Sequence, residues 1–277
     1  MWKILYILPK NYLSYFLGRL AAIELPRPFS SYLVRLFAYF FKIDDSSASK
    51  PASDYRSIAE FFIRDLKQYH ISNESRLISP VEGTLRSFGK IENGLIPQVK
   101  DIDFHIKDLL GHEQYAQYFS QGLYFNLYLS PRNYHQVHAP LTGEIIASTH
   151  IPGTLWPVND WSLNNVKDLF CINERIVTYF DSELGKAALV MVGATNVGSM
   201  TVVYDNWITN NMAMPAKERL ALSSREYANP IAISRGEKLG KFHLGSSVIL
   251  LTSNLIEPLD LSSQSKIELF QALIKAN

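Results

Sequence analysis

Gly236-Glu237-Lys238-Leu239-Gly240-Lys241-Phe242-His243-Leu244-Gly245-Ser246-Ser247-Val248-Ile249-Leu250-Leu251 is the stretch on which the fold of this chain turns. Two glycines loosen the backbone, and Leu-Gly-Ser-Ser then runs straight into an apolar, β-branched segment. That order predicts a turn delivering Gly245-Ser246 to the mouth of a buried strand. A serine hydroxyl held there can attack the carbonyl of the residue before it, because glycine has no Cβ to block the approach. Taken locally, the same residues also describe an ordinary turn with a polar strand start.

Outward from this stretch, short alternating or β-branched runs recur. Strands are expected at 123–129, 144–148, 175–180, 188–192, 200–204 and 248–252, separated by Gly, Pro and Asn. Helices are expected near 103–110 and over 262–275. Ile58, Phe61, Phe62 and Leu66 fall at helical spacing, with a start near Ser57. Residues 44–54 form a polar linker, and 1–43 read as helix interrupted by Pro9, Pro26 and Pro28. No internal repeat or low-complexity tract is present. The expected fold is α+β: an N-terminal helical region over 1–70 and a β-rich, barrel- or sandwich-like core over 71–277.

At 277 residues and 47% hydrophobic, the chain can bury a large core, as one big domain or two smaller ones. A net charge of +1 argues against nucleic acid as a main partner. The single cysteine, Cys171, rules out an internal disulfide or a cysteine metal cage and fits a reducing compartment. No uncharged apolar run approaches the ~18 residues needed to span a bilayer. No signal peptide is expected, since no small-residue cleavage site follows a compact apolar core.

Charge is uneven. Up to Lys42 six cations face one acid, Glu24, for +5, which leaves −4 on the remainder. Phe29, Leu33, Leu36 and Phe40 share one helical face, with Arg35 and Lys42 roughly opposite. Trp2, Tyr12, Tyr15, Tyr32 and Tyr39 add rings suited to a headgroup interface. This describes a helix lying in an anionic membrane surface, or an amphipathic helix packed on its own domain or a second subunit.

Three segments could carry chemistry. His135 and His138 lie three apart in Ser130-Pro131-Arg132-Asn133-Tyr134-His135-Gln136-Val137-His138-Ala139-Pro140, after an expected strand. Such a pair can bind a metal or supply a base. Metal is set aside, because no cysteine and no acidic cluster supports it. Glu82 sits in the turn Ser79-Pro80-Val81-Glu82-Gly83, as a poised carboxylate or a solvated turn residue. Gly153-Thr154-Leu155-Trp156-Pro157-Val158-Asn159 could wall a pocket or simply pack a ring. Val192-Gly193-Ala194-Thr195-Asn196-Val197-Gly198-Ser199 lacks the Gly-Lys-Ser/Thr ending of a phosphate loop and better suits backbone amides beside a site.

Together these motifs resemble the bacterial phosphatidylserine decarboxylase proenzymes. The resemblance rests on Leu244-Gly245-Ser246-Ser247 and its Gly236–Lys241 approach, the Tyr-His-x-Val-His segment, and Pro152-Gly153 with Pro157-Val158-Asn159. Asn173-Glu174-Arg175 with Phe180-Asp181, the 192–199 loop, Tyr6-Ile7-Leu8-Pro9-Lys10 and Phe61-Phe62-Ile63-Arg64 extend it over nearly the whole chain.

The resemblance implies a self-cutting enzyme. Glu82, His138 and Ser246 would form the relay, with His135 accessory, and His138 would take the Ser246 proton while Glu82 orients the imidazole. Attack on Gly245 gives an ester, β-elimination a dehydroalanine, and loss of ammonia a pyruvoyl group at the former Ser246. The products would be chains 1–245 and 246–277. The pyruvoyl cofactor would take up the amine of phosphatidylserine as a Schiff base, and decarboxylation would yield phosphatidylethanolamine and CO2. Further implied are an anionic membrane surface as partner, paired cleaved chains with a homodimer of these, and a peripheral location on the cytoplasmic side of the cell membrane. One departure stands out: the family pattern has aspartate where this chain has Glu82. The extra methylene adds ~1.3–1.5 Å of reach, so the turn has shifted to compensate, or maturation is slow, or the chain is an unprocessed, non-catalytic lipid-binding relative. A Ser-His-Glu hydrolase is a third reading, without the Gly-x-Ser-x-Gly elbow.

Overall fold

Two of the three N-terminal prolines, Pro9 and Pro26, set helix boundaries, while Pro28 sits in the first turn of a helix and does not interrupt it. In the computed structural model, which describes residues 6–71, 75–195, 199–243 and 246–275 and only the backbone of Ser246, α1 spans Lys10–Ala21 and α2 Arg27–Phe41. Pro9 and Pro26 precede the first turns, where a missing amide hydrogen costs nothing. Helix α2 ends at Lys42, in the left-handed region at φ 52°. Its inner face buries Ser30 and Val34. There Val34, Ile43, Tyr55 and Phe61 form a small core against which Phe37 and Ala38 pack. The opposite stripe stays in solvent, with Phe29 and Phe40 66% and 70% exposed and Leu33 beside them. Among the described residues no helix is long and apolar enough to cross a membrane.

Helix α3 is Ile58–Phe62, and its start is where the sequence indicates: Glu60 N donates to the Ser57 hydroxyl at 3.1 Å. It stops short of Leu66, which instead bridges to Ala48 in the linker.

The body follows as β1 (Gly83–Lys90), β2 (Leu95–Val99), β3 (Ile102–His105), α4 (Ile106–Leu110), α5 (Glu113–Gln117), β4 (Leu123–Leu129), β5 (Gln136–His138) and β6 (Gly143–Ile151). Then come α6 (Asp160–Asn165), α7 (Leu169–Ile172), β7 (Arg175–Ser182), β8 (Gly185–Gly193), β9 (Met200–Val202) and α8 (Ala216–Arg219). The chain closes with β10 (Ser223–Ile233), β11 (Lys238–Phe242), β12 (Ser246–Thr252) and β13 (Ser265–Ile267). Eight strands form one antiparallel sheet in the order β10-β6-β7-β8-β12-β4-β1-β13. The sheet is open, with β10 and β13 as its edges, so the architecture is α+β without a closed barrel. A three-stranded sheet, β5-β11-β9, adds Val137, Met200, Leu239 and Phe242 to the same core.

Strand β12 is central. It pairs with β4 and β8 along its whole length, and Val248, Ile249, Leu250 and Leu251 are fully buried. An unbroken apolar run fits a strand covered on both faces. Two expected helices are corrected. Over 103–110, Ile102–His105 is strand, paired with β2 and burying Phe104, and only Ile106–Leu110 is helical. Over 262–275 no helix forms: Ser265–Ile267 pairs with β1, and Gln264 and Phe270 take positive φ on either side. The open edge of β1 offers hydrogen bonds that outweigh a weak local helical pattern.

Candidate active site

Several strands end together at one edge of the main sheet. Ser246, the first residue of β12, has Leu129 of β4 and Gly193 of β8 as its Cα partners. Beyond β4, β1 begins at Gly83, so Glu82 stands at the same end, two strands from Ser246. A Cβ on Gly83 would lie 2.3 Å from the Tyr128 carbonyl oxygen, so glycine is what lets the Glu82 turn approach β4.

The histidine strand is stitched to both sides of this edge. His138 N donates to Pro80 O at 2.9 Å, and Ala139 N to Glu237 O at 2.8 Å. Phe242 N donates to His135 O at 3.0 Å, and four residues later the chain enters β12 at Ser246. Leu244, Gly245 and the Ser246 side chain, which carry the expected cleavage, lie outside the described residues.

His138 is fully buried. Its Nδ1 lies 2.7 Å from the Gly236 carbonyl, which can only accept, so Nδ1 carries the hydrogen and Nε2 keeps its lone pair. The Tyr134 hydroxyl donates to that lone pair at 3.1 Å. Phe270 and Tyr69 ring the imidazole edge-on, at 4.9 and 5.8 Å. Burial lowers its pKa from 6.5 to about 4, so the ring is a neutral base at neutral pH. Gly236 sustains the contact at φ 85°, where a Cβ would lie 2.2 Å from Ile71 Cδ1.

Glu82 belongs to a different chain of contacts. Its Oε1 accepts from Asn133 Nδ2 at 2.7 Å, while Asn133 Oδ1 accepts from the backbone and hydroxyl of Ser130 at 2.9 and 2.7 Å. The Asn133 carbonyl accepts from His135 Nδ1 at 2.8 Å and from Arg64 Nη2 at 3.4 Å. Asn133 thus links Glu82, His135 and Arg64. His135 Nε2 is buried and has no partner among the described residues, and the ring packs on Phe62 at 3.9 Å. Burial, with the Arg64 charge adding to it, lowers the His135 pKa to about 3. The structure therefore brings Glu82 and His135 together through Asn133, and gives His138 other partners, Gly236 and Tyr134.

The neighbouring loops are stapled to the same edge. Asn173 holds Trp156 by two hydrogen bonds at 2.9 Å and donates a third, also 2.9 Å, to Gly193 O opposite Ser246. Trp156 is buried, so the 153–159 loop packs its ring next to the site. Glu174 accepts from His150 Nε2 at 3.0 Å and from Asn210 N at 2.9 Å. Arg175 spends its guanidinium on the carbonyls of Asp108, Leu109, Cys171 and Asn173. Among the described residues no group of three His, Cys, Asp or Glu side chains is placed to hold a metal.

Asn133, Tyr134 and Arg64 are site residues that sequence reasoning quoted without assigning a role. Asn133 and Tyr134 stood inside the histidine segment. The signal for Arg64 was a cation directly after the apolar Phe61-Phe62-Ile63. Nothing local marked Gly236 as a histidine partner.

The fold and these residues define a class: an α+β protein that gathers a serine, two neutral histidines and a carboxylate at one end of its main sheet. A family model described as phosphatidylserine decarboxylase matches residues 58–274, and the chain belongs to the phosphatidylserine decarboxylase family. It is 37% identical over 252 residues to the phosphatidylserine decarboxylase proenzyme of Myxococcus xanthus, covering 90% of this chain and 88% of that one. The proenzymes of Anaeromyxobacter sp. (strain K) and Brevibacillus brevis are 40% and 38% identical over 250 and 261 residues. Those alignments cover 88% and 92% of this chain, and 86% and 89% of the relatives.

Proposed function

We propose that the chain is a proenzyme that cleaves itself between Gly245 and Ser246 and then decarboxylates phosphatidylserine to phosphatidylethanolamine with a pyruvoyl group derived from Ser246. One observation carries the proposal: in a member of this family, the serine of Leu-Gly-Ser opens the central strand at the end of the sheet where Asn133 joins Glu82 to His135 and the His138 backbone is tied to the Glu82 turn at Pro80.

The residues fit such a group. Gly193 presents no side chain opposite position 246, and the β12 backbone is paired on both sides, so the new chain end would stay held after the cut. When formed, the group supplies an electron-withdrawing carbonyl for loss of CO2. The chain's own residues supply the proton transfers. His138 is neutral, and its only lone pair is the one Tyr134 occupies, so the Ser246 proton reaches it through that hydroxyl or after it turns away. The Gly236 carbonyl then stabilises the imidazolium. His135, whose Nε2 has no partner among the described residues, is available for a second proton transfer.

The basic arm, with its solvent-facing stripe of Phe29, Leu33 and Phe40, supports peripheral binding to an anionic leaflet at the cytoplasmic side of the cell membrane. In this reading 1–70 is the membrane-associating region and 71–277 the catalytic domain, with chains 1–245 and 246–277 remaining together, as a homodimer or alone. A competing reading, an uncut lipid-binding relative, is favoured by one contact, the Glu82 bond to Asn133 in place of His138. Intact-mass measurement of the purified protein separates the two. The proposal expects two fragments, the short one blocked at its N-terminus, and a single chain from Ser246→Ala that neither cuts nor decarboxylates. A whole chain in active material overturns it.

A further inference from the structure

A cavity of about 680 Å3 opens beside Glu82, between the end of α2 and the start of β1. Its wall carries four cations, Lys42, Arg64, Arg132 and Lys266, against the carboxylates of Asp44, Glu82 and Glu268. All three acids have partners: Glu268 lies 3.4 Å from Lys266, Glu82 accepts from Asn133, and Asp44 accepts from Ser46 N at 2.9 Å.

Arg64 is the unusual member. It is 3% exposed, yet among the described residues no carboxylate lies within ion-pair distance of it. Nη2 makes two long contacts, 3.4 Å each, to the carbonyls of Arg132 and Asn133. Among the described residues Nε and Nη1 are buried without a hydrogen-bond partner, and the guanidinium lies over the Phe61 ring at 5.3 Å. A guanidinium taken out of water is costly unless paired, and the edge formed by Nε and one terminal nitrogen matches two oxygens of a phosphate or carboxylate. Arginine is also the cation that suits planar, two-pronged recognition, while lysines around it act as point charges. Glu82 lines the same cavity, but its Oε1 accepts from Asn133, and among the described residues it forms no ion pair with Arg64.

We infer that Arg64, with Lys42, Arg132 and Lys266 around it, forms a binding site for a phosphate ester, which on the proposed function is the headgroup phosphate of the lipid substrate. The position agrees with that occupant. Lys42 closes the helix whose apolar stripe faces solvent, and Glu82 and Asn133 connect the cavity wall to His135. A lipid lying under the arm would present its phosphate at this mouth and its serine toward the histidines.

The test reads binding directly. Wild-type protein and Arg64→Gln are titrated by calorimetry with sn-glycero-3-phosphoserine, inorganic phosphate and L-serine. The expected result is saturable binding of glycerophosphoserine, no competition by L-serine, and a loss of about tenfold or more in affinity in Arg64→Gln. Inorganic phosphate binding as tightly as glycerophosphoserine supports the anion site and assigns it to free phosphate in place of the lipid. Equal affinity in Arg64→Gln, or displacement by L-serine, overturns the site. Should Arg64→Gln fail to fold, Arg132→Gln and Lys266→Gln on the exposed rim are each expected to weaken binding severalfold, and no change in either overturns the inference. Turnover is read separately on phosphatidylserine vesicles, where Arg64→Gln is expected to raise KM more than it lowers kcat. Binding without decarboxylation by the parent would sink the proposed function and leave the site standing. Decarboxylation with unchanged KM in Arg64→Gln would do the reverse.

Discussion

Asn133 is the residue on which the geometry of the site converges. Its amide holds Glu82 and Ser130, and its carbonyl holds His135 and Arg64. Removing the amide should let the Glu82 carboxylate drift, and a displacement near 1 Å can cost ~10²-fold in rate. Asn133→Ala should therefore slow self-cleavage by about that factor while the far-ultraviolet circular dichroism stays unchanged; fragment formation timed on a gel at the parental rate would exclude Asn133 from the chemistry. At Glu82 the charge and its reach can be separated. Glu82→Asp should process at least as well as the parent, and Glu82→Gln should stall. Equal processing by all three forms would remove the carboxylate from the relay. Glu82 was legible in the sequence as a carboxylate in a turn, but its partner was not, because Asn133 lies 51 residues away.

At the scale of elements, the entry to β1 and the arm make separate demands. A methyl group on Gly83 would meet the Tyr128 carbonyl at 2.3 Å, backbone against backbone, with no flexible side chain to yield. Gly83→Ala should lower stability by roughly 1–3 kcal/mol, seen as a drop in Tm, and should slow processing by moving the Glu82 turn. Unchanged values of both would mean that β1 can shift freely. The arm has one face on its own small core and the other in solvent, so deleting residues 1–43 should weaken binding to anionic vesicles and make the remaining binding less sensitive to salt. Unaltered vesicle binding would return that stripe to a protein contact. The six strands expected from the sequence all form, because alternation and Gly, Pro and Asn stops are local signals, but others, β3, β10, β11 and β13 among them, were not read as strands. The 262–275 segment was misread, because the unpaired edge of β1 is invisible to its own pattern.

For the whole molecule, the buried histidines tie stability to pH. His135 and His138 sit at about 3 and about 4 when folded, against an ordinary 6.5, so the unfolded chain binds protons more readily. Their contribution is complete above about 6.5 and is lost as pH falls below that value, until the folded rings themselves protonate. Thermal melts should be flat with respect to these groups above pH 7 and fall steadily on acidification below it. A Tm constant down to pH 4.5 would mean that the imidazoles are not held neutral by burial. The amino-acid sequence alone determined the α+β composition, the burial of the 248–251 run, the basic arm and the family motifs, since each is written in neighbouring residues. Only the tertiary structure decided that His138 answers to Gly236, 98 residues away, and that Glu82 reaches His135 through Asn133. It alone left Arg64 buried without a counter-ion among the described residues. The physical reason is that a buried polar group takes whichever partner the packed chain brings within about 3 Å, and spacing along the sequence carries no record of that distance.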